Sequence, residues 1–506
     1  MNDDQSQVRV RIAPSPTGNL HVGTAHTTIF NYLFARRNQG KFILRIEDTD
    51  LERSDKKFEE DIIAGLKWLG IIWDEGPMQD GSEKGEHGPY RQTKRNVIYQ
   101  KYLQLLLKEG KAFYCFHTEE DLETERKEQL ATKTVLMHVC KDWRDFPLED
   151  AEKKLKFGNN AIIRFKMPQE SPETPSNYQV SFTDLIRNQQ IHFFARLLGD
   201  FSLAKSLELP LYNFAVVVDD YEMKITHVIR GDDHIPNTSK QVLIAKALGW
   251  TIKDEIGNDV PPWKYAHLPL LLGSDRSKLS KRHGATSISQ YRSEGYLPYA
   301  IFNYLALLGW NPGTDQEIFS LEELIKEFSL EKVQKAGAIF DITKLDWMNG
   351  EYIRKKSTAE LRELACPYLT KFSQDKNEYI EQILTLERPR LKKFSELPEK
   401  IDYFFIEPKY DKSLLIWKSM SNEDVKNSLI NAQKIIETIS EDNWNKEYIE
   451  TIFLAEGKNY QNRGELLWPL RVAISGKKAS PGPFDILTIL GQETAIKRIQ
   501  KAISML

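Results

Sequence analysis

At 506 residues the chain is too long for one ordinary core, so several packed units are expected. With 70 basic and 73 acidic residues the formal net charge is −3, which excludes reading a nucleic-acid partner from bulk charge; any such surface must be locally basic. The opening "MNDDQSQ" has no basic segment leading into an apolar one, no stretch approaches about 18 uninterrupted apolar residues, and three cysteines, Cys115, Cys140 and Cys366, cannot staple a chain this long, so an unexported cytoplasmic protein without membrane association is expected.

Val8 to Ile12 alternates apolar residues with arginine and reads as a strand, stopped by Pro14 and Pro16. From Ala25, the residues Ile29, Phe30, Leu33 and Phe34 recur at three- and four-residue spacing until Gly40, which predicts one face of a helix. "KFILRI" is a second strand, and Phe58, Ile62, Ile63, Leu66 and Leu69 mark a second amphipathic helix, so a parallel sheet with crossover helices is predicted over 1–94. Over 95–211 the charged "TEEDLETERKEQLA", the strand-like "AIIRFKMP" and the polar link "PQESPETPSNYQ" suggest an inserted domain. "NFAVVVDD" and "ITHVIRGDDH" read as buried strands ending in carboxylates, returning the chain to the first domain over 212–235. Helices are expected to dominate 236–349, and 350–506 reads as all helical.

Two loops carry candidate chemistry. "RIAPSPTGNLHVGT" is a strand, a turn and a helix start, an arrangement that offers backbone N–H groups to a phosphate, with His21 two residues before Gly23 as an added donor; His21 as a turn cap and Gly23 as relief for a tight entry explain the same letters. In "KLSKR", Lys278, Ser280 and Lys281 could grip a phosphate or form a solvated basic loop. "YCFH" and "MHVC" supply Cys115, His117, His138 and Cys140, two pairs that could close a tetrahedral Cys₂His₂ site, or be buried cysteines beside surface histidines. No G-x-G-x-x-G follows the first strand, which argues against a dinucleotide-binding oxidoreductase.

"HVGT" and "KLSKR" together resemble the two signatures of class I aminoacyl-tRNA synthetases, in the forms used by glutamyl-tRNA synthetases. The resemblance continues in order through "RIEDTD", "GPYRQ", "YNFAVVVDD", "THVIRGDDH", "GYLP", "DWMNGEYI" and "RGELLWPLRVAISG", over almost the whole chain. It implies an α/β Rossmann-like catalytic domain (1–94 and 212–235) split by an α+β acceptor-end insertion (95–211). A helical stem-contact region carrying the "KLSKR" loop (236–349) and an all-α anticodon-binding region (350–506) would follow. The implied reaction joins L-glutamate to ATP with Mg²⁺, releasing pyrophosphate, then moves the glutamyl group to the terminal adenosine of tRNA-Glu, in a protein expected to be a monomer.

The implied roles follow the chemistry of these substrates. Negative charge grows on the leaving pyrophosphate, so fixed donors matter more than an acid or a base. His21 and Lys281 are the implied catalytic residues, with Gly23, Thr24, Lys278 and Ser280 completing the ATP site. For glutamate, Arg11 and Tyr212 would meet the side-chain carboxylate and Arg230 the α-carboxylate, while Glu47 and Ser15 would receive the ammonium and Ala13 line the pocket. A strand-end salt bridge is the commoner explanation of Arg11 and Glu47 when the flanking motifs are ignored.

The resemblance also implies structural Zn²⁺ in the insertion, although His117 stands where the family typically has a second cysteine and His138 precedes Cys140 instead of following it. Arg390, in "ERPRLKK", matches a position associated with telling cytosine from guanine at the third anticodon base; an ordinary basic helix start explains the run as well. Asp232 stands where glutamate is commoner, and "SLELPLY" replaces a glycine-containing turn. The alternatives are a form that also charges tRNA-Gln and a catalytically silent, synthetase-like RNA-binding protein. The short relatives that glutamylate a modified tRNA base lack the last third of this chain, and glutaminyl-tRNA synthetases carry a "PEPNG"-like turn in place of "PSPTG".

Overall fold

A computed structural model of the chain describes residues 7–168, 178–254, 257–284, 286–372 and 377–506, without the side chains of Lys281 and Asn377. Most of the link "PQESPETPSNYQ" lies outside the described residues. Two compact units result, one from Met1–Tyr291 with Ile301–Asp341, the other from Arg292–Ala300 with Ile342–Leu506.

In the first unit the opening elements follow the predicted order: β1 (Arg9–Ile12), α1 (Val22–Arg37), β2 (Lys41–Leu44) and α2 (Lys56–Trp68). The strands β1 and β2 run parallel, with Arg11 opposite Ile43. Beyond the end of α1 at Arg37 the chain turns through Gly40, whose backbone passes so close to Val8 that a Cβ there would lie 2.3 Å from the Val8 carbonyl oxygen; only glycine lets the chain turn into β2. The helix is buried on more than the one predicted face, because His26 and Phe30 pack outward onto Leu308 and Phe328 while Asn31 reaches the Ile229 carbonyl in the sheet.

Three expectations need correction. "NFAVVVDD" is not a strand: Tyr212–Glu222 is an α-helix. Its middle is buried from Phe214 through Asp220, so no polar face interrupts the apolar run. The sheet is not completed by 212–235 alone: beyond His227–Gly231 it takes the strand Lys264–Leu268, from the region expected to be helical, with Arg230 opposite His267. Nor does 95–211 stand apart, since its hairpin Gln179–Asp184 and Gln189–Phe194 extends the same sheet through Tyr265 opposite Asp184. The full order is β2, β1, His227–Gly231, Lys264–Leu268, Gln179–Asp184, Gln189–Phe194, parallel except for the final hairpin. The rest of the insertion builds its own antiparallel sheet from Ala112–Cys115, Ile162–Phe165, Ser202–Ser206 and Leu209–Pro210. In "SLELPLY" the turn is closed without glycine, by Ser206 Oγ accepting from the Glu208 amide at 3.2 Å.

The second unit matches the expected all-α region: among the described residues it contains helices and turns around one apolar core, with Leu361, Leu384, Leu429, Leu466, Ile486 and Ile499 buried in it. Among the described residues of the chain, no helix is long and apolar enough to cross a membrane.

Candidate functional site

Parallel strands deliver their carboxyl ends to one edge, and there the chain leaves a cleft of about 550 Å³. Ten of the expected residues line it: Arg11, Ala13, Ser15, His21, Gly23, Thr24, Glu47, Tyr212, Arg230 and Lys278. The two sequence loops meet through their backbones. Val22 donates to the Thr286 carbonyl at 2.8 Å and Ile288 to the Leu20 carbonyl at 2.9 Å, so the residues after "KLSKR" pair with "LHV" across more than 260 positions.

At one wall, His21 caps α1, its Nδ1 accepting from the Gly23 amide at 3.0 Å. That bond assigns the ring proton of a neutral His21 to Nε2, at the start of a 16-residue helix whose first amides also face anions well. Cap and phosphate donor are thus compatible roles of one imidazole. Lys278 reaches Asp233 at 3.0 Å, an exposed pair that an arriving polyphosphate could displace. Ser280 does not line the cleft; its hydroxyl lies 3.2 Å from His283 Nδ1, inside the loop's own turn. The side chain of Lys281 lies outside the described residues.

The other wall is ionic and buried. Arg11 lies fork-wise on Asp220, Nε to Oδ1 at 3.1 Å and Nη2 to Oδ2 at 3.4 Å. Asp220 also accepts from Arg45 at 2.7 Å, and Arg45 donates to Glu47 at 3.2 Å. Next to them Asp219 accepts from Arg95 at 2.6 Å, Gln92 at 2.8 Å and Tyr99 at 2.9 Å. Burial pushes Glu47 up, opposed by Arg45 and Arg11. Burial would also raise Asp220, but Arg11 and Arg45 hold it below the ordinary carboxylate value. Arg45, Arg95, Asp219 and Asp220 were not foreseen, since the carboxylates were placed at a strand end and no local spacing joins Arg45 to a partner 175 residues away.

Between the walls, Arg230 is 5 % exposed and its Nη2 donates to Thr238 and Gln241, both at 2.7 Å. Its Nη1 is buried with no hydrogen-bond partner among the described residues, in a residue that faces the cleft. A buried guanidinium donor of this kind is costly unless an acceptor arrives. Tyr212 Oη lies within hydrogen-bond distance, 3.0 Å, of His234 Nδ1; burial, then Arg230, lowers His234 to about 4, so the ring is neutral. Asp232, one methylene shorter than the commoner glutamate, still pairs with Arg187 at 3.2 Å.

In the insertion, Cys115, His117, His138 and Cys140 do come together. Cys115 Sγ lies 3.3 Å from His117 Nδ1 and 3.7 Å from His138 Nε2; Cys140 Sγ lies 3.7 Å from His117 Nδ1 and 4.0 Å from Cys115 Sγ. A zinc tetrahedron with bonds of about 2.0 to 2.3 Å has edges of about 3.3 to 3.8 Å; the four donor atoms lie within 4.8 Å of one another, so a small contraction would place all four on one ion. Asp142 at 3.0 Å and Glu125 at 2.6 Å hold the outward nitrogens of His117 and His138, as carboxylates do behind metal-binding imidazoles.

In the second unit Arg390 lies 3.4 Å from both oxygens of Glu387, whose side chain is almost wholly buried while Arg390 is about one-third exposed.

Comparison with known proteins follows the same division. The profile "tRNA synthetases class I (E and Q), catalytic domain" matches residues 7–347, and "Anticodon binding domain" matches 360–503. The glutamate–tRNA ligase of Carboxydothermus hydrogenoformans is 43% identical over 505 residues, covering 97% of this chain and 99% of its own. Glutamate–tRNA ligase 1 of Fervidobacterium nodosum is 43% identical over 498 residues, 98% of each chain. The crystal structure of a glutamate–tRNA ligase from Elizabethkingia meningosepticum, in complex with its amino acid, superimposes with a TM-score of 0.83 at 34% identity, over 99% of this chain and all of that one.

Proposed function

The chain belongs to the glutamate–tRNA ligases of the class I tRNA synthetases, and from that premise we propose how its cleft holds the substrates. It activates L-glutamate with ATP and passes the glutamyl group to tRNA. Arg11 and Tyr212 take the side-chain carboxylate, Arg230 the α-carboxylate, and Glu47 with Ser15 the ammonium. His21, Lys281 and Lys278, with the amides of Gly23 and Thr24, stabilise charge on the phosphates. Mg²⁺ arrives with ATP and shields that charge.

What carries this reading is Arg230, which lines one cleft with Arg11, Glu47 and Tyr212 and whose Nη1 is a buried donor lacking a partner among the described residues. Two cations and one anion match a ligand with two carboxylates and one ammonium. Ser280 is assigned to the shape of the "KLSKR" turn, in keeping with its contact to His283.

The tRNA taken is tRNA-Glu, with its acceptor end on the insertion and its anticodon on the helical unit, where Arg390 discriminates against tRNA-Gln. The fixed Arg390–Glu387 contact supports a guanidinium held for a planar partner. Zn²⁺, held by Cys115, His117, His138 and Cys140, would cross-link the strand end at Cys115 to the loop at Cys140. The glutamate assignment is tested by Arg11→Gln in a charging assay. The KM for glutamate should rise at least tenfold, the scale of one lost charge-assisted hydrogen bond, with the KM for ATP nearly unchanged. Equal rises in both constants would assign Arg11 to the fold.

A further inference from the structure

Arg230 does not hold its own orientation. Its guanidinium is planar, and for Nη1 to face the cleft the other edge must be fixed. Nη2 rests on Thr238 and Gln241, and Nε points at His267 Nε2, 3.5 Å away on the neighbouring parallel strand. Thr238 Oγ1 also lies 3.0 Å from His267 Nε2. His267 can accept there only if its proton sits on Nδ1, and Nδ1 lies 2.7 Å from Asp184 Oδ2. Both side chains are fully buried.

Asp184 ends the strand Gln179–Asp184, in the hairpin that the insertion adds to the sheet. The hairpin is tied down beside it: Arg187 donates its amide to Asp184 at 2.7 Å, its Nη1 to the His267 carbonyl at 3.1 Å and its Nη2 to Asp232 at 3.2 Å. Neutral His267 and ionised Asp184 agree with the surroundings, since burial lowers the imidazole to about 4, and His267 with the Arg187 amide offsets burial at the carboxylate.

We propose that Asp184 and His267 are positioning residues for substrate glutamate: the pair fixes the imidazole proton on Nδ1, and the bare Nε2 holds Arg230 with Nη1 toward the cleft. Glutamate affinity is then set in part from outside the cleft, by a residue of the insertion. Asn in place of Asp184 can offer its amide hydrogen to Nδ1, which moves the ring proton to Nε2 and sets it against Arg230 Nε–H. This rests on the reading that Arg230 receives a carboxylate of glutamate.

The test is steady-state charging of tRNA-Glu by the full chain, measuring KM for glutamate, ATP and tRNA in Asp184→Asn, Arg230→Gln and the double variant. Asp184→Asn should raise the glutamate KM about tenfold and move the other two constants less than about twofold, and it should add nothing in the Arg230→Gln background. A glutamate KM unchanged by Asp184→Asn, or an effect that multiplies fully with Arg230→Gln, overturns the proposal. An unchanged glutamate KM in Arg230→Gln overturns the assignment of Arg230 itself, and the proposal with it. Should Asp184→Asn fail to fold, His267→Gln, which can keep an acceptor for Arg230, should retain a glutamate KM near that of the parent while His267→Leu loses it; equal losses also overturn the proposal.

Discussion

Asp220 has two arginines on one carboxylate, and its pairing with the cleft residue Arg11 makes the buried charges around it interdependent. Arg11 can face a ligand because Asp220 holds its other edge, and Asp220 is tolerable in the interior because Arg45 and Arg11 both pair with it. Removing one member of such a cluster leaves an uncompensated buried charge, so Arg45→Met should cost about 3–5 kcal/mol in urea unfolding. A loss below about 1 kcal/mol would show the cluster to be relaxed by water. At this scale the sequence was half legible. The types and spacings that match a family signature, such as His21 with Gly23, could be read directly. The residues that orient them could not, because Arg45 and Asp220 sit in segments whose letters announce only a strand end and an apolar run.

Elements were legible where one face is wet. The helix α2, exposed on one side, showed its period, whereas Tyr212–Glu222 did not. A short apolar run buried on all sides carries no periodicity to separate helix from strand, and its β-branched valines tipped the reading the wrong way. The Cys/His cluster was legible as two pairs that could close one site, but what brings the pairs together was not. Strand pairing brings Cys115 beside Ile162, and the turn at Cys140 is fastened by its amide to Asp200, which Arg144 also grips. Purified protein should contain about one zinc per chain, and Cys140→Ser should lose it and lower the melting temperature, as expected when a tetrahedral ligand is removed. A metal content below about 0.1 per chain in carefully reloaded protein would assign the four residues to packing alone.

On the scale of the whole molecule, all ten histidines fall between His21 and His283, and the unit formed by Arg292–Ala300 and Ile342–Leu506 has none. Burial lowers His26 and His267 to about 4, against an ordinary value of 6.5 in an unfolded chain. Between those values the unfolded chain binds protons that the fold refuses, so stability falls as pH falls from about 6.5 to about 4. The melting temperature of the histidine-bearing unit should therefore drop steadily between pH 7 and pH 5; a constant or rising value would show these rings to be protonated in place. That a mixed α/β part precedes an all-helical one was legible from the hydrophobic patterning, but the sheet's use of 179–194 and 264–268 was not, because strand pairing across a long insertion leaves no local signal.

The most direct measurement is the charging of purified tRNA-Glu and tRNA-Gln with labelled glutamate, ATP and Mg²⁺ by the intact protein and by Lys281→Ala. A glutamate–tRNA ligase with the proposed cleft and anticodon reader charges tRNA-Glu alone, and the variant loses most of that activity. Charging of both tRNAs would keep the ligase and reject the role given to Arg390. Absence of glutamate on either tRNA would contradict the proposed activity at its root.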